Sequence, residues 1–200
     1  MTRFKGYYTK ILILGSSYLT ELCVKALKGY NLIGYVPCKN TPVVGNVPLP
    51  EVDINTDCDI KLSLQYDQYV EDTSNTYNLH TGLLPEYGGR DILDHTIKNG
   101  AKEQGLTFHK MTDKMDYGPI ISTVTYPVLE TDTSFDLYKR MLHMAPSFLR
   151  DSMLLLSALS DEQIEGCRKY PPQMYKRGDF ELSNEFKAFI KERSVKCKKF

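Results

Sequence analysis

The 200-residue chain balances 25 Lys and Arg against 25 Asp and Glu, with 42% apolar and 25% charged residues. That suits one soluble globular domain with a proper core, and it lacks the clustered basic excess that a nucleic-acid partner demands. No apolar run approaches the roughly 18 residues of a membrane helix.

In chain order, MTRFKGYYTK shows no signal-peptide pattern and leads into KILILG, residues 10–15, a β-branched run closed by Gly15 that reads as a buried strand. Ser16 or Ser17 is placed to cap a helix whose apolar positions Leu19, Leu22, Cys23, Ala26 and Leu27 form one stripe. NLIGYVP follows as a second strand, so a right-handed βαβ unit in a parallel sheet is expected. Residues 37–58 hold Pro42, Pro48 and Pro50 without any period, and read as a loop or an abbreviated connection. Ile60 to Leu64 is the next strand, TYNLH another, and GRDILDHTIKNG an amphipathic helix stopped by Gly100. GLTFHKM and IISTVTYPV alternate strictly, which favours an antiparallel pair around the loop TDKMDYGP.

Thr133 and Asp136 make a capping box for a long helix that Pro146 should kink or break, with SMLLLSAL helical beyond it. After Asp161 the chain is polar, with Pro171 and Pro172, and reads as extended or loop before a last short helix from about Ser183. The basic tail Lys191, Arg193, Lys196, Lys198 and Lys199 reads as a frayed terminus. Cys23, Cys38, Cys58, Cys167 and Cys197, odd in number and scattered, argue against a disulfide framework and a zinc site and fit a reducing cytoplasm. One domain is expected over residues 1–160, with 161–200 as a short appendage packed on it.

A period of two puts Asn78 and His80 on one face of their strand, and at the C-terminal edge of an open α/β sheet that face looks into the ligand crevice. Leu83, Leu84 and Pro85 then turn the chain rigidly, and Gly88 and Gly89 permit a tight backbone. Taken singly, an Asn at a strand end is a turn former, a His is a satisfied polar group, and Asp116-Tyr117-Gly118 is a turn signature.

Together, Asn78-x-His80-x-x-Leu83-Leu84-Pro85, Gly105-x-Thr107-x-His109 and Asp116-x-Gly118-x-Ile120 resemble the folate-dependent formyltransferase family. The resemblance covers most of residues 10–160, including DTSFDLYKRM, similar to the family's Asp-Thr helix start. It implies a Rossmann-like α/β fold: a mostly parallel twisted sheet with an antiparallel strand, flanked by helices, here with one strand-helix unit shortened at 37–58. It also implies transfer of a formyl group from 10-formyltetrahydrofolate, as cosubstrate and without metal, to an amine. Asn78 and a protonated His80 would then stabilise the developing oxyanion, with Asp116 supporting His80 and accepting the amine proton. His109 resembles the family's second His, a hydrogen-bonding group near the site. His95 and His143 have no motif context and read as structural or surface residues. Backbone groups of Leu64, Gln65 and Tyr66 and of Asp113, Lys114 and Met115 are the implied folate contacts, with Met115 packing against the ring, and Ser16, Ser17, Tyr18 and Arg90 the implied acceptor contacts.

Within the family, residues 160–200 are too few for the RNA-holding barrel domain of methionyl-tRNA formyltransferases, which disfavours tRNA. GSSYLTE lacks the second Gly and the Asn of the phosphate cradle of the glycinamide ribonucleotide enzymes. SLQYDQYV before NLHTGLLPEYGG is similar to the sugar N-formyltransferases, although their Tyr-Arg-Gly reads Tyr87-Gly88-Gly89-Arg90 here. The implied acceptor is a nucleotide-linked amino sugar, such as a dTDP- or UDP-4-amino-4,6-dideoxyglucose. The alternatives are glycinamide ribonucleotide or another small amine, a catalytically silent folate or nucleotide-binding module, and hydrolysis of the formyl-folate. A cytoplasmic enzyme with no nucleic-acid or membrane partner is expected, and a homodimer stays open.

Overall fold

The computed structural model describes residues 8–197. The start of the N-terminal segment, read as free of a signal peptide, lies outside the described residues, as do Lys198 and Lys199 of the tail. Strand β1 (Ile11–Leu14), helix α1 (Tyr18–Ala26) and strand β2 (Leu32–Val36) form the expected βαβ unit. Then come β3 (Ile60–Leu64), β4 (Thr76–His80), the short β5 (Gly88–Gly89), α2 (Ile92–Lys98), β6 (Glu103–Lys110) and β7 (Ile120–Pro127). The chain ends with α3 (Ser134–Ala158), α4 (Asp161–Glu165), β8 (Met174–Tyr175) and α5 (Asn184–Cys197).

The main sheet has six strands in the order β2-β1-β3-β4-β6-β7. Strands β1 to β4 are parallel, and β6 runs antiparallel to both β4 and β7. The chain moves from β1 to β2 on one side and returns to β3 on the other, which opens a crevice at the C-terminal ends of β1 and β3. Residues 37–58 contain no helix and cross β1 and β2 as a loop held by isolated bridges, Ser17 to Val44 and Tyr35 to Glu51.

Side-chain alternation divides the sheet. Ile11, Ile13, Leu62, Leu64, Tyr77, Leu79, Leu106 and Phe108 pack with Leu19, Cys23, Met141, Leu149 and Met153 of α1 and α3 into the main core. The other face holds a small cluster, Leu12, Leu14, Val36 and Val70, covered by loop residues such as Val52, Ile54 and Tyr66. Leu14, Ser63, Asn78 and His109 are register partners across β1, β3, β4 and β6, so polar side chains share that second face. Among the described residues, no helix is long and apolar enough to cross a membrane.

Three sequence expectations are corrected. Helix α3 is not broken at Pro146 but runs unbroken for 25 residues. Met141, Leu142 and Ala145 before the proline and Leu149, Met153 and Leu156 after it are all buried in one core, and that packing outweighs the lost backbone bond. The segment after Asp161 is not simply extended: Ser160 caps α4, and β8 pairs in parallel with β5. The tail is not frayed at Arg193, which lies on the 14-residue α5 and forms an ion pair with Glu21 of α1. Phe186 of the same helix stacks on Phe135 at 4.8 Å.

Candidate active site

Three segments converge on the second face of the sheet. β4 ends at His80, the turn 81–90 folds back over it, and the loop 111–119 between β6 and β7 brings in Asp116. They line an open cleft of about 410 Å³ together with Ser63, Gln65, Tyr66 and Met115. Gln65, Asp91 and Asp116 have positive φ of 58°, 52° and 55°, and all three line this cleft. A left-handed backbone at non-glycine residues costs energy and is found where a site over-determines the chain.

The hydrogen bonds assign the protons. His109 Nδ1 lies 3.0 Å from the Lys110 carbonyl, which can only accept, so Nδ1 carries the hydrogen and Nε2 accepts from the Asn78 amide at 3.1 Å. Burial pushes the His109 imidazole down to about 4, against the opposing pull of the Asp116 charge, and keeps it in this neutral form. One N–H of Asn78 is thereby spent on His109, and the second is left to a ligand. His80 Nε2 donates to the Tyr87 carbonyl at 2.7 Å, leaving Nδ1 facing Asp116 Oδ1 at 3.6 Å. The other carboxylate oxygen of Asp116 accepts from the Gly89 amide at 2.8 Å, which locks its orientation.

The spacing Gly105-x-Thr107-x-His109 acquires a mechanical meaning. Thr107 Oγ1 donates to the Gly82 carbonyl at 2.8 Å and accepts from the Leu84 amide at 3.0 Å, bolting the turn after His80 to β6. Gly105 has no room for a side chain, since a Cβ would sit 2.2 Å from the Val124 carbonyl. Gly118 is tighter, with the Lys110 carbonyl 1.5 Å from the place a Cβ would occupy. Gly118→Ala must therefore spread the Asp116 loop from β6. We expect it to cost about 1–3 kcal/mol and to lower the melting midpoint by several degrees; an unchanged melt would contradict the packing described.

Of the residues singled out in the sequence, Asn78, His80, Asp116, Gln65, Tyr66, Met115 and Arg90 line the cleft. The others do not. The Leu64 side chain points into the main core, and its carbonyl accepts from Thr20 at 2.9 Å. Asp113 and Lys114 are exposed outside the cleft lining. Ser16 Oγ accepts from the Cys38 amide, and Ser17 is a buried helix cap. Tyr18 faces α5, against Phe189 and Arg193. The reason is the loop 37–47, which folds over the start of α1: the Tyr18 amide donates to the Val43 carbonyl at 2.8 Å, and the Gly45 amide to the Ser16 carbonyl at 2.9 Å. Sequence reading missed Ser63, Asp67, Asp91 and Arg177 in the cleft lining. Ser63 was legible as the register neighbour of Asn78, whereas Arg177 arrives by the β5–β8 pairing, which no local pattern announces.

This sheet order, with a polar cleft at the ends of its parallel strands, defines the class: an α/β domain of the formyltransferase fold. Residues 68–153 match the model of the formyl transferase family. It is 32% identical over 102 residues to the bifunctional polymyxin resistance protein ArnA of Wigglesworthia glossinidia brevipalpis, which covers 51% of this chain and 16% of that protein. It is also 32% identical over 106 residues to the methionyl-tRNA formyltransferase of Natranaerobius thermophilus, covering 52% and 34% of the two chains. The chain thus spans about a third or less of the length of these curated relatives. Among solved structures, WlaRD, a sugar 3N-formyl transferase crystallised in the presence of dTDP and 5-N-formyl-THF, superposes with a TM-score of 0.72. That match covers 88% of this chain and 72% of the other at 23% identity, a likeness of fold.

Proposed function

We propose that this chain is an N-formyltransferase that moves a formyl group from 10-formyltetrahydrofolate to the amine of a nucleotide-linked amino sugar. The observation that carries this reading is the convergence of Asn78, His80 and Asp116 in one open cleft, with their hydrogen bonds already assigned. The cleft also suits a planar folate: Tyr66 and Met115 supply apolar surface, and the Met115 side chain is exposed there.

10-Formyltetrahydrofolate supplies an electrophilic formyl carbon attached to a nitrogen leaving group. The second N–H of Asn78 donates to the formyl oxygen as negative charge gathers there, an interaction worth about 3–4 kcal/mol for one well-placed donor. His80 works through Nδ1, because Nε2 is committed to Tyr87. Nδ1 faces Asp116 Oδ1 at 3.6 Å, so a proton moved through this nitrogen has a carboxylate beside it. Asp116 accepts the proton of the attacking amine, directly or through water, and returns it to the departing nitrogen as the new carbon–nitrogen bond forms and the old one breaks.

The closed N-terminus of α1 favours the sugar acceptor over glycinamide ribonucleotide. The backbone donors and Ser17, which would have to hold a phosphate there, are engaged with Val43, Thr20 and one another. The deciding assay offers 10-formyltetrahydrofolate with a panel of amino-sugar nucleotides, glycinamide ribonucleotide and methionyl-tRNA, and reads the mass gain of one formyl group. Formylation of an amino-sugar nucleotide alone is expected. Transfer to another acceptor, binding without transfer, or formate release with water as acceptor would each overturn the reading.

A further inference from the structure

The turn after β4 and the segment 173–178 are laced together along the rim of the cleft. Gly88 donates to the Gln173 carbonyl at 3.0 Å and Arg90 to the Tyr175 carbonyl at 3.0 Å, while Gly178 donates to Asp91 Oδ2 at 3.0 Å. A side chain on Gly89 would strike the Tyr175 carbonyl at 2.1 Å, so the Gly-Gly pair is what lets the two backbones approach. Tyr87 and Tyr175 stack above them, 5.5 Å apart and 11° from parallel. This lacing brings the guanidiniums of Arg90 and Arg177 to the same cleft as Asn78, His80 and Asp116.

Both arginines are exposed, and neither guanidinium has an ion pair or hydrogen bond among the described residues. The cleft's carboxylates are engaged elsewhere: Asp67 by the amides of Lys39 and Asn40, Asp91 by Gly178 and Asp116 by Gly89. The lining carries three carboxylates against two arginines, but backbone amides engage each carboxylate, and the two guanidinium forks without a partner on the rim are left to an anionic ligand. Each fork presents planar N–H pairs that match phosphate oxygens bidentately, and a diphosphate spreads its charge over two groups that two forks can share.

We propose that Arg90 and Arg177 clamp the phosphoryl groups of the acceptor, which makes the C-terminal segment 173–178 part of the substrate site. This rests on the amino-sugar nucleotide reading above and identifies what holds its diphosphate. The same forks would also suit the carboxylates of a folate tail, so the test separates the two sources.

Calorimetric titration with inorganic diphosphate, dTDP and 5-formyltetrahydrofolate as separate probes is run on the wild-type chain, Arg90→Ala and Arg177→Ala. Both positions are exposed, and thermal melts check that the variants fold. The Kd for dTDP should rise about tenfold or more in each variant, while that for the formyl-folate stays within about twofold. Diphosphate alone should follow the dTDP pattern. An arginine-independent dTDP affinity, no dTDP binding to the wild type, or a loss confined to the formyl-folate overturns the clamp. Formyl-transfer assays on the same proteins keep the two claims apart. Transfer with arginine-independent dTDP binding sinks the clamp alone, and arginine-dependent binding without transfer to any amine sinks the enzymatic reading alone.

Discussion

Asp116→Asn should lower formyl turnover by about two to four orders of magnitude while leaving the fold intact. The substitution is nearly isosteric. Asn tolerates the left-handed backbone at this position, and its carbonyl oxygen can still accept the Gly89 amide. What disappears is the charge facing His80 Nδ1 and the acceptor for the amine proton. His80→Ala should lose a similar factor, because the proposed mechanism moves a proton through this imidazole. Asn78→Ala is expected to cost about 10²–10³ in kcat with little change in KM, since its donor acts on charge that develops only during reaction. Single-turnover rates on variants whose melting curves match the wild type would check all three. Wild-type-like rates for Asp116→Asn or His80→Ala would remove the site assignment.

The second large effect is on stability. Arg193 of α5 meets Glu21 of α1, and its guanidinium lies 3.7 Å from the centre of the Tyr18 ring. The side chains of Arg193 and Glu21 are only 13% and 8% exposed. Burial alone would raise the Glu21 carboxyl, but Lys25 at 2.6 Å, the Asn46 amide at 2.9 Å and Arg193 hold it below the usual carboxylate range. Arg193→Ala strips away one of these partners, leaves a buried carboxylate undercompensated and opens a gap on Tyr18. A loss of about 3 kcal/mol is expected in a urea titration at neutral pH. Arg193→Met, which keeps the stem, should recover the packing share but not the charge share.

The sign of the pH dependence follows from the lowered Glu21 pKa. The pair's stability is present above the unfolded carboxylate pKa of about 4.3 and is lost as pH falls through the lower folded value. Arg193→Ala should flatten that acid limb. A variant as stable as the wild type at neutral pH would return this segment to the frayed terminus that its composition suggests.

The strands of the main sheet, the helix cap at Ser17, the capping box at Thr133 and the shared face of Asn78 and His80 were legible because each is a local matter. Period-two alternation, a Ser or Thr before a helix, and Gly or Pro at turns act within a few residues. The same locality explains the misses. Pro146 obeys its own propensity only until a core packed on both sides of it overrides that preference. The cleft lining leaves out Ser16, Ser17 and Tyr18, over which the loop 37–47 folds, and the Leu64 side chain, which strand parity turns toward the core; neither arrangement is announced by a local pattern. Conversely, Arg177 reaches the cleft only through the β5–β8 pairing, between segments far apart in sequence.

The sequence by itself determined the order of the parallel strands' hydrophobic runs, the parity that puts Asn78 and His80 on one face, and the glycines at 105 and 118 that admit close backbones. Tertiary structure alone decided that Asp116 stands 3.6 Å from His80, that neutral His109 fixes the Asn78 amide, and that the C-terminal segment helps wall the cleft. The physical reason is range. Propensity and alternation are written into neighbouring residues, whereas a site assembled from β4, the 111–119 loop and β8 exists only once the sheet order has brought them together.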